Sequence, residues 1–366
     1  MNRIPSPRAR TGFLFLLLTL CFGACERGQG GPALDDGSQG EAPVLDEGFG
    51  AGPLVGDYMG QTLPGESPAV FAPGIVTTGT YTRDVALTPD GSEFYFGVLL
   101  GRFTAIMVSL RGEDGRWTEP EVAPFSRDSR FFNLEPAISP DGNRFMFLST
   151  RVEGREPAQE EIRAWVNQDI WVMDREGDEW GDPYNLGPPV NSEESEFFPS
   201  LTRDGTLYFT RGSSDGQESY IYRSRLVEGA YQEPERLGPE VNSTPNQFNA
   251  FISPDESYLI VCTGARDDTQ GGTDYYVVFR NPDDSWSGPI NMGGVVNTPG
   301  DGEFAPYVSP DGEYFFFMST RIMPDERIPE ILTADFLRQY RMGPESGNAG
   351  IYWIKADFIE RLRPEG

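Results

Sequence analysis

Five times along this chain a short apolar segment runs into a tight polar turn and straight back out into a second, aromatic segment. The clearest copies read "EFAPYVSPDGEYFFFMSTR" from Glu303, "EPAISPDGNRFMFLSTR" from Glu135 and "EFFPSLTRDGTLYFTR" from Glu196. Looser copies begin at Asp84 ("DVALTPDGSEFYF") and at Asn249 ("NAFISPDESYLIVCTGAR"). Aligned at the residue ahead of the first apolar pair, they fall at Asp84, Pro136, Pro199, Ala250 and Pro306, with spacings of 52, 63, 51 and 56 residues. A regular internal period means units that bury apolar faces against one another, and it constrains the fold before any single residue does.

Each unit has the same internal order. The turn uses Pro to set φ, Asp to satisfy a backbone donor and Gly to accept positive φ. A third strand follows a variable loop: "DIWVMD" from Asp169, "YIYRSR" from Tyr220, "DYYVVF" from Asp274. A fourth follows an aromatic residue and a polar turn, as in "WGDPYNLGPPVNS", "YQEPERLGPEVNS" and "WSGPINMGGVVNT". Four antiparallel strands per unit make one blade of a β-propeller, so the expected fold is all-β. Two turns depart from the pattern. Arg203 replaces Pro in the third copy, and Glu256 replaces Gly in the fourth, where a different turn type is expected.

The Pro-Asp-Gly hairpin with its aromatic strands, "STR" and "DIW" resembles the TolB-like, WD-repeat-like propeller repeat of bacterial envelope proteins. The likeness extends from "YMGQTLPGESPAVFAPGIV" to "GIYWIKADFIERLRP", about residues 58 to 364. It implies a propeller with a binding or scaffolding role and no particular reaction. The sialidase Asp-box is not matched, because Gly directly follows Asp in "SPDG". The fifth unit stops after its third strand, "IYWIKADF", and the missing fourth-strand pattern lies at the other end of the chain in "PAVFAPGIV", from Pro68. An N-terminal strand is therefore expected to complete the C-terminal blade and close a ring of five, with six blades as the alternative.

The N-terminus indicates where such a domain would work. A basic "MNRIPSPRAR", an apolar "FLFLLLTLCF" and the small pair "GA" precede Cys25, a pattern that resembles a bacterial lipoprotein signal. The expected organisation is a signal peptide over 1–24, a Gly-, Pro- and acid-rich tether over 25–57 that begins with lipidated Cys25, and the propeller over 58–366. A tether of this kind holds a domain roughly 30 Å from its anchor. Secretion without lipid is the alternative. The formal charge of -28 disfavours nucleic acid and anionic membrane surfaces as partners, leaving attachment to a membrane to the lipid alone. The absence of histidine excludes Ser-His-Asp and Cys-His catalysis and imidazole-bound zinc. Cys262, inside "YLIVCTG", reads as a small buried apolar residue.

If the first strand of each unit is innermost, one propeller face carries the tight turns. The other gathers the approaches to the innermost strands and the exits of the second strands. That second face would carry Glu135, Glu196 and Glu303 with Arg151, Arg211, Arg266 and Arg321, an alternating charged ring fit to receive a polar ligand. The same residues recur with the repeat, so ion pairing within or between blades is the competing role. Two insertions, 153–168 and 324–348, fall in loops of that face. Both carry apolar residues near helical spacing: Ile162, Trp165 and Val166 in the first, Ile331, Leu332, Phe336 and Leu337 in the second. The acidic loop "RDDTQGGTD" lacks the spacing of a calcium loop. No catalytic residue, metal or cofactor is assigned. The expected function is an envelope-anchored, monomeric binding or scaffolding module for a protein, peptide or glycan. A glycan hydrolase using face carboxylates and a component of a Tol-like envelope complex are the alternatives.

Overall fold

The innermost strand of every unit breaks its ladder at one place. Asp84, Glu135, Phe198, Asn249 and Ala305 all take a left-handed backbone conformation, with φ between 50° and 59°. The strand pairing shifts register at each of these positions. Such a bulge inserts one unpaired residue and increases the local twist, which lets five short sheets fan around an axis. The bulges also correct the repeat alignment. Asp84 corresponds to Glu135 rather than to Pro136, so the first spacing is 51 residues.

The computed structural model describes residues 54–213, 216–300 and 302–364. These form a five-bladed propeller. Blade 1 comprises Tyr81–Leu87, Glu93–Leu100, Phe103–Leu110 and Glu121–Val122. Blade 2 comprises Asn133–Ile138, Arg144–Ser149, Asp169–Glu176 and Tyr184–Asn185. Blade 3 comprises Ser195–Leu201, Leu207–Gly212, Ser219–Ser224 and Glu235–Arg236. Blade 4 comprises Gln247–Ile252, Tyr258–Thr263, Asp274–Phe279 and Ile290–Asn291. Blade 5 takes Glu303–Val308, Tyr314–Ser319 and Gly350–Lys355 from the C-terminal end and Ala69–Val70 from the N-terminal end.

Closure therefore follows the expected path, with Ala69 opposite Trp353 and Val70 opposite Tyr352 in an antiparallel pair. The segment after this strand wedges between the first and last blades. Phe71 is fully buried, stacks on Phe94 at 5.0 Å and meets Phe316 and Trp353 edge-on at 5.1 Å each. Burying one such ring contributes about 1.5–3 kcal/mol. Thr77 stitches the same seam, its hydroxyl donating to the Ile351 carbonyl (3.0 Å) and accepting the Ile351 N–H (3.1 Å).

The tight turns are nearly identical on one face. In all five the Asp carboxylate accepts the N–H two residues on, from Ser92, Asn143, Thr206, Ser257 and Glu313 at 3.0–3.1 Å. The Glu256 turn is not a different type. Glu256 adopts φ 57°, the region its glycine counterparts occupy, and its N–H bonds Ser253 O as theirs bond the equivalent carbonyl. The Tyr208 hydroxyl, donating to Glu256 Oε1 at 2.7 Å, helps hold a non-glycine residue in that conformation.

The chain enters on this turn face. Leu54 O accepts the Trp117 N–H, and Tyr58 reaches the blade 5 turn through a 2.7 Å hydrogen bond to Asp311. Both insertions lie on the opposite, loop-rich face. The second forms helix α1, Ala334–Met342, capped by the Thr333 hydroxyl, whereas the first forms only a 3-10 turn at Gln159–Glu161. Cys262 is buried, as expected. The expected leader, Cys25 and residues 26–53 lie outside the described residues.

Candidate functional site

Because a bulge residue leaves the ladder, its N–H must find another acceptor. Two of the acceptors are carboxylates. Asp84 Oδ2 accepts the Glu135 N–H (3.1 Å), and Glu135 Oε2 accepts the Phe198 N–H (2.8 Å). Arg83 bridges the pair, Nε to Asp84 Oδ1 at 2.8 Å and Nη2 to Glu135 Oε1 at 2.9 Å. All three side chains are at least nine-tenths buried. Every carboxylate oxygen at this waist is thus hydrogen bonded, as a buried ion cluster requires. Burial drives the Glu135 carboxyl up to about 7, with Arg83 opposing and Asp84 reinforcing the shift. Burial also raises the Asp84 carboxyl, against Arg83.

The fourth bulge uses a neutral acceptor. Thr210 Oγ1 takes the Asn249 N–H at 3.0 Å, and the buried Cys262 thiol donates to the Asn249 carbonyl at 3.7 Å. The side chain of Asn249 does not perform the duty that Asp84 and Glu135 perform. It is 2% exposed, and its carboxamide makes no hydrogen bond among the described residues.

The waist divides the channel into two vestibules. On the turn face, a cavity of about 230 Å³ is lined by Asp84, Phe198, Ala305, Tyr307 and prolines of the turns and innermost strands. On the loop-rich face, a funnel of about 300 Å³ has Arg83, Glu135 and Asn249 at its base. The residues just before the bulges form much of its wall: Leu134, Phe197, Phe248 and Phe304, the last two in ring contact at 5.4 Å. Trp165, supplied by the first insertion and packed on Phe132 at 4.6 Å, lines its rim. Apolar walls around a few buried polar groups are the usual composition of a small-ligand site, and this funnel lies at the small end of the range.

Of the seven residues singled out in the sequence, Glu135 alone is among those lining the funnel. Glu196 and Glu303 sit two residues before their bulges, inside the blades, at the position of Asn133 and Gln247. Glu196 Oε1 accepts from Arg211 Nε at 2.7 Å, while Glu303 Oε1 accepts from Thr298 Oγ1 (2.6 Å) and Ser319 Oγ (3.1 Å). Burial raises the Glu303 carboxyl to about 7. The arginines reach backbone carbonyls of the segment leading in from the preceding blade. Arg151 donates to Phe125 O, Arg211 to Val190 O (2.8 Å) and Arg321 to Val295 O (2.7 Å). Each also lies over an aromatic ring, Phe147, Tyr222 and Phe317 respectively. Arg266 pairs with Asp268 at 3.2 Å and covers Tyr276.

Sequence reasoning passed over Arg83 and the four wall residues. Their common signal is the place just before the bulge in each repeat, which becomes visible only once Asp84 and Glu135 are aligned.

No family model and no curated protein matches the chain. Several solved structures resemble it at low identity. TolB from Acinetobacter baumannii is 16% identical with a TM-score of 0.43, over 76% of this chain and 57% of that one. The GH43 endo-arabinanase from Bacillus licheniformis is 12% identical with a TM-score of 0.42, over 75% and 94%. The NanB sialidase from Streptococcus pneumoniae is 13% identical with a TM-score of 0.37, over 71% and 36%. The chain thus spans little more than half the length of the TolB chain it matches, and none of these likenesses assigns it an activity.

Proposed function

We propose that this chain is a binding module of the bacterial cell envelope that takes its ligand into the funnel of the loop-rich face. One observation carries the reading: at the base of an apolar funnel, Arg83 Nη1 and the Asn249 carboxamide, on side chains at least nine-tenths buried, make no hydrogen bond among the described residues. Buried polar groups are ordinarily satisfied, so donors and acceptors held open in a cavity favour a ligand that completes them. The carboxylates weigh against hydrolysis. Asp84 and Glu135 are bridged by one guanidinium, both hold bulge N–H groups, and Asp84 lines the opposite vestibule from Glu135.

The anchor belongs to the same reading. With Cys25 lipidated, the tether would join the domain on the turn face, where Leu54–Asp57 pack on blade 1, and the funnel would point away from the membrane. Mass spectrometry of the mature N-terminus tests the lipid. A glycan and envelope-protein binding screen on the whole chain tests the funnel, with Phe197→Arg as the blocking variant. Hits should lose binding in that variant while its melting temperature stays near that of the parent. A hit indifferent to the substitution would remove the funnel from the function.

A further inference from the structure

Resting on the funnel reading, we infer that the funnel selects a neutral amide carried on an apolar body, the chemistry of a hydrophobic residue in a peptide. Asn249 decides the head group. A carboxamide donates from one atom and accepts on another beside it, so a lone buried one is best completed by a group with donor and acceptor side by side, as an amide has and a single hydroxyl oxygen does not. Asp84 and Glu135 accept the bulge N–H groups of blades 2 and 3, and Thr210 accepts that of blade 4. Among the described residues nothing occupies the Asn249 amide, although the side chain is 2% exposed and lines the funnel.

Arg83 decides the charge. Its Nη1 is free to donate to a carbonyl oxygen, but its positive charge is already offset by Asp84 and Glu135. Above about pH 7, where Glu135 is ionised, a carboxylate arriving here would meet two carboxylates and one guanidinium, in a protein whose formal charge is -28. The field thus favours an uncharged acceptor over an anion. The wall decides the body. Leu134, Phe197, Phe248 and Phe304 offer aliphatic and aromatic contact to a hydrophobic amino-acid residue, while Gln168, Ser195, Ser219, Asn246 and Thr273 line the same funnel, so an N-acetylated sugar is the competing ligand that the test must separate.

Ligand-observed NMR titration of the whole chain with 3-phenylpropionamide, 3-phenylpropionate and 3-phenylpropanol separates the heads on one body, and N-acetylglucosamine tests the sugar. The amide should bind about tenfold tighter than the carboxylate or the alcohol, since an unmade buried hydrogen bond is worth about that much. Asn249→Ala should remove the preference for the amide and leave the alcohol unchanged. The isosteric Asn249→Asp, which keeps the shape if the smaller residue does not fold, should lower affinity for the carboxylate further. Equal affinity for the three heads, a preference for the carboxylate or for N-acetylglucosamine, or no binding of any probe at its solubility limit overturns the inference. If the heads are indistinguishable yet Phe197→Arg abolishes all binding, the funnel stands and the amide falls. If Phe197→Arg changes nothing, the funnel itself is wrong.

Discussion

Blades 3 and 5 carry the same acid at the same place and treat it differently. Glu196 and Glu303 both sit two residues before a bulge, and both are fully buried. Glu196 is fully engaged: Ser192 donates from both its hydroxyl and its N–H, and Arg211 Nε adds an ion pair. In blade 5, Glu303 Oε2 and Arg321 Nε have no partner among the described residues, nor does Oδ1 of Asp274 on the neighbouring blade. Register explains the difference. Arg211 stands directly opposite Glu196 in the strand pair, whereas the residue opposite Glu303 is Ser319 and Arg321 lies beyond the strand end. Two guanidinium groups bond carbonyls at matching places, Val190 and Val296, with Arg321 also bonding Val295, and cover matching rings, yet they arrive from different backbone positions. A recurrent residue type thus does not determine its electrostatic state.

The two blades also differ in how they are assembled. Blade 3 is one run of chain, while blade 5 needs Ala69–Val70 from the far end. Removing the chain before Thr80 should therefore have the largest effect. It strips blade 5 of its outer strand and the seam of Phe71, and we expect insolubility or loss of a single cooperative transition in denaturant unfolding. An unchanged midpoint and slope would show that closure contributes nothing. Glu235→Pro, in the exposed outer strand of blade 3, should cost only about 1 kcal/mol by the same measurement, the value of a ladder hydrogen bond.

The next largest contrast concerns the arginines. Arg211→Met leaves a buried Glu196 without its counter-charge and should cost about 3 kcal/mol. Arg321→Met removes hydrogen bonds to carbonyls but breaks no ion pair and should cost about 1 kcal/mol. Equal losses in thermal or urea melts would erase the distinction between the blades.

A further contrast is the most diagnostic. The Glu303 carboxyl titrates at about 7 in the folded chain, driven by burial and reinforced by Asp274 against hydrogen bonds from Thr298 and Ser319, and near its ordinary value when unfolded. Between those two values the native state binds the extra proton, so its contribution is complete below about pH 4.5 and is lost as pH rises through about 7. Glu303→Gln should flatten that part of the profile and stabilise the protein by about 2 kcal/mol at pH 8. Glu196→Gln should destabilise at pH 8, because it removes the partner of Arg211. A Glu303→Gln profile that still falls across this window as steeply as the parent's would assign the pH dependence to other groups such as Glu135.

Much of the scaffold was legible from the chain alone, for a physical reason. A turn whose Asp caps its own backbone and whose strands alternate toward a shared core is a local instruction, and its repetition leaves few ways to bury the faces. The missing fourth strand of the last unit even located the closure at Pro68. Two insertions were visible as interruptions, but only the second makes a helix. The site was much less legible. Reading Glu135, Glu196 and Glu303 as one ring assumed that equal residue types occupy equal places, whereas the left-handed bulge puts Glu135 at the base of the funnel and leaves the other two inside their blades.

What the sequence determined by itself is the repeating unit, because hydrophobic period, turn chemistry and chain length act within a few residues of one another. What only the tertiary structure decided is which polar groups are already used. Asn249 matters because its carboxamide, unlike the Asp84 and Glu135 carboxylates, holds no bulge N–H among the described residues, and Arg83 matters because two blades hold its charge in balance. Such accounting depends on partners tens of residues apart brought together by ring closure, and no local pattern encodes it.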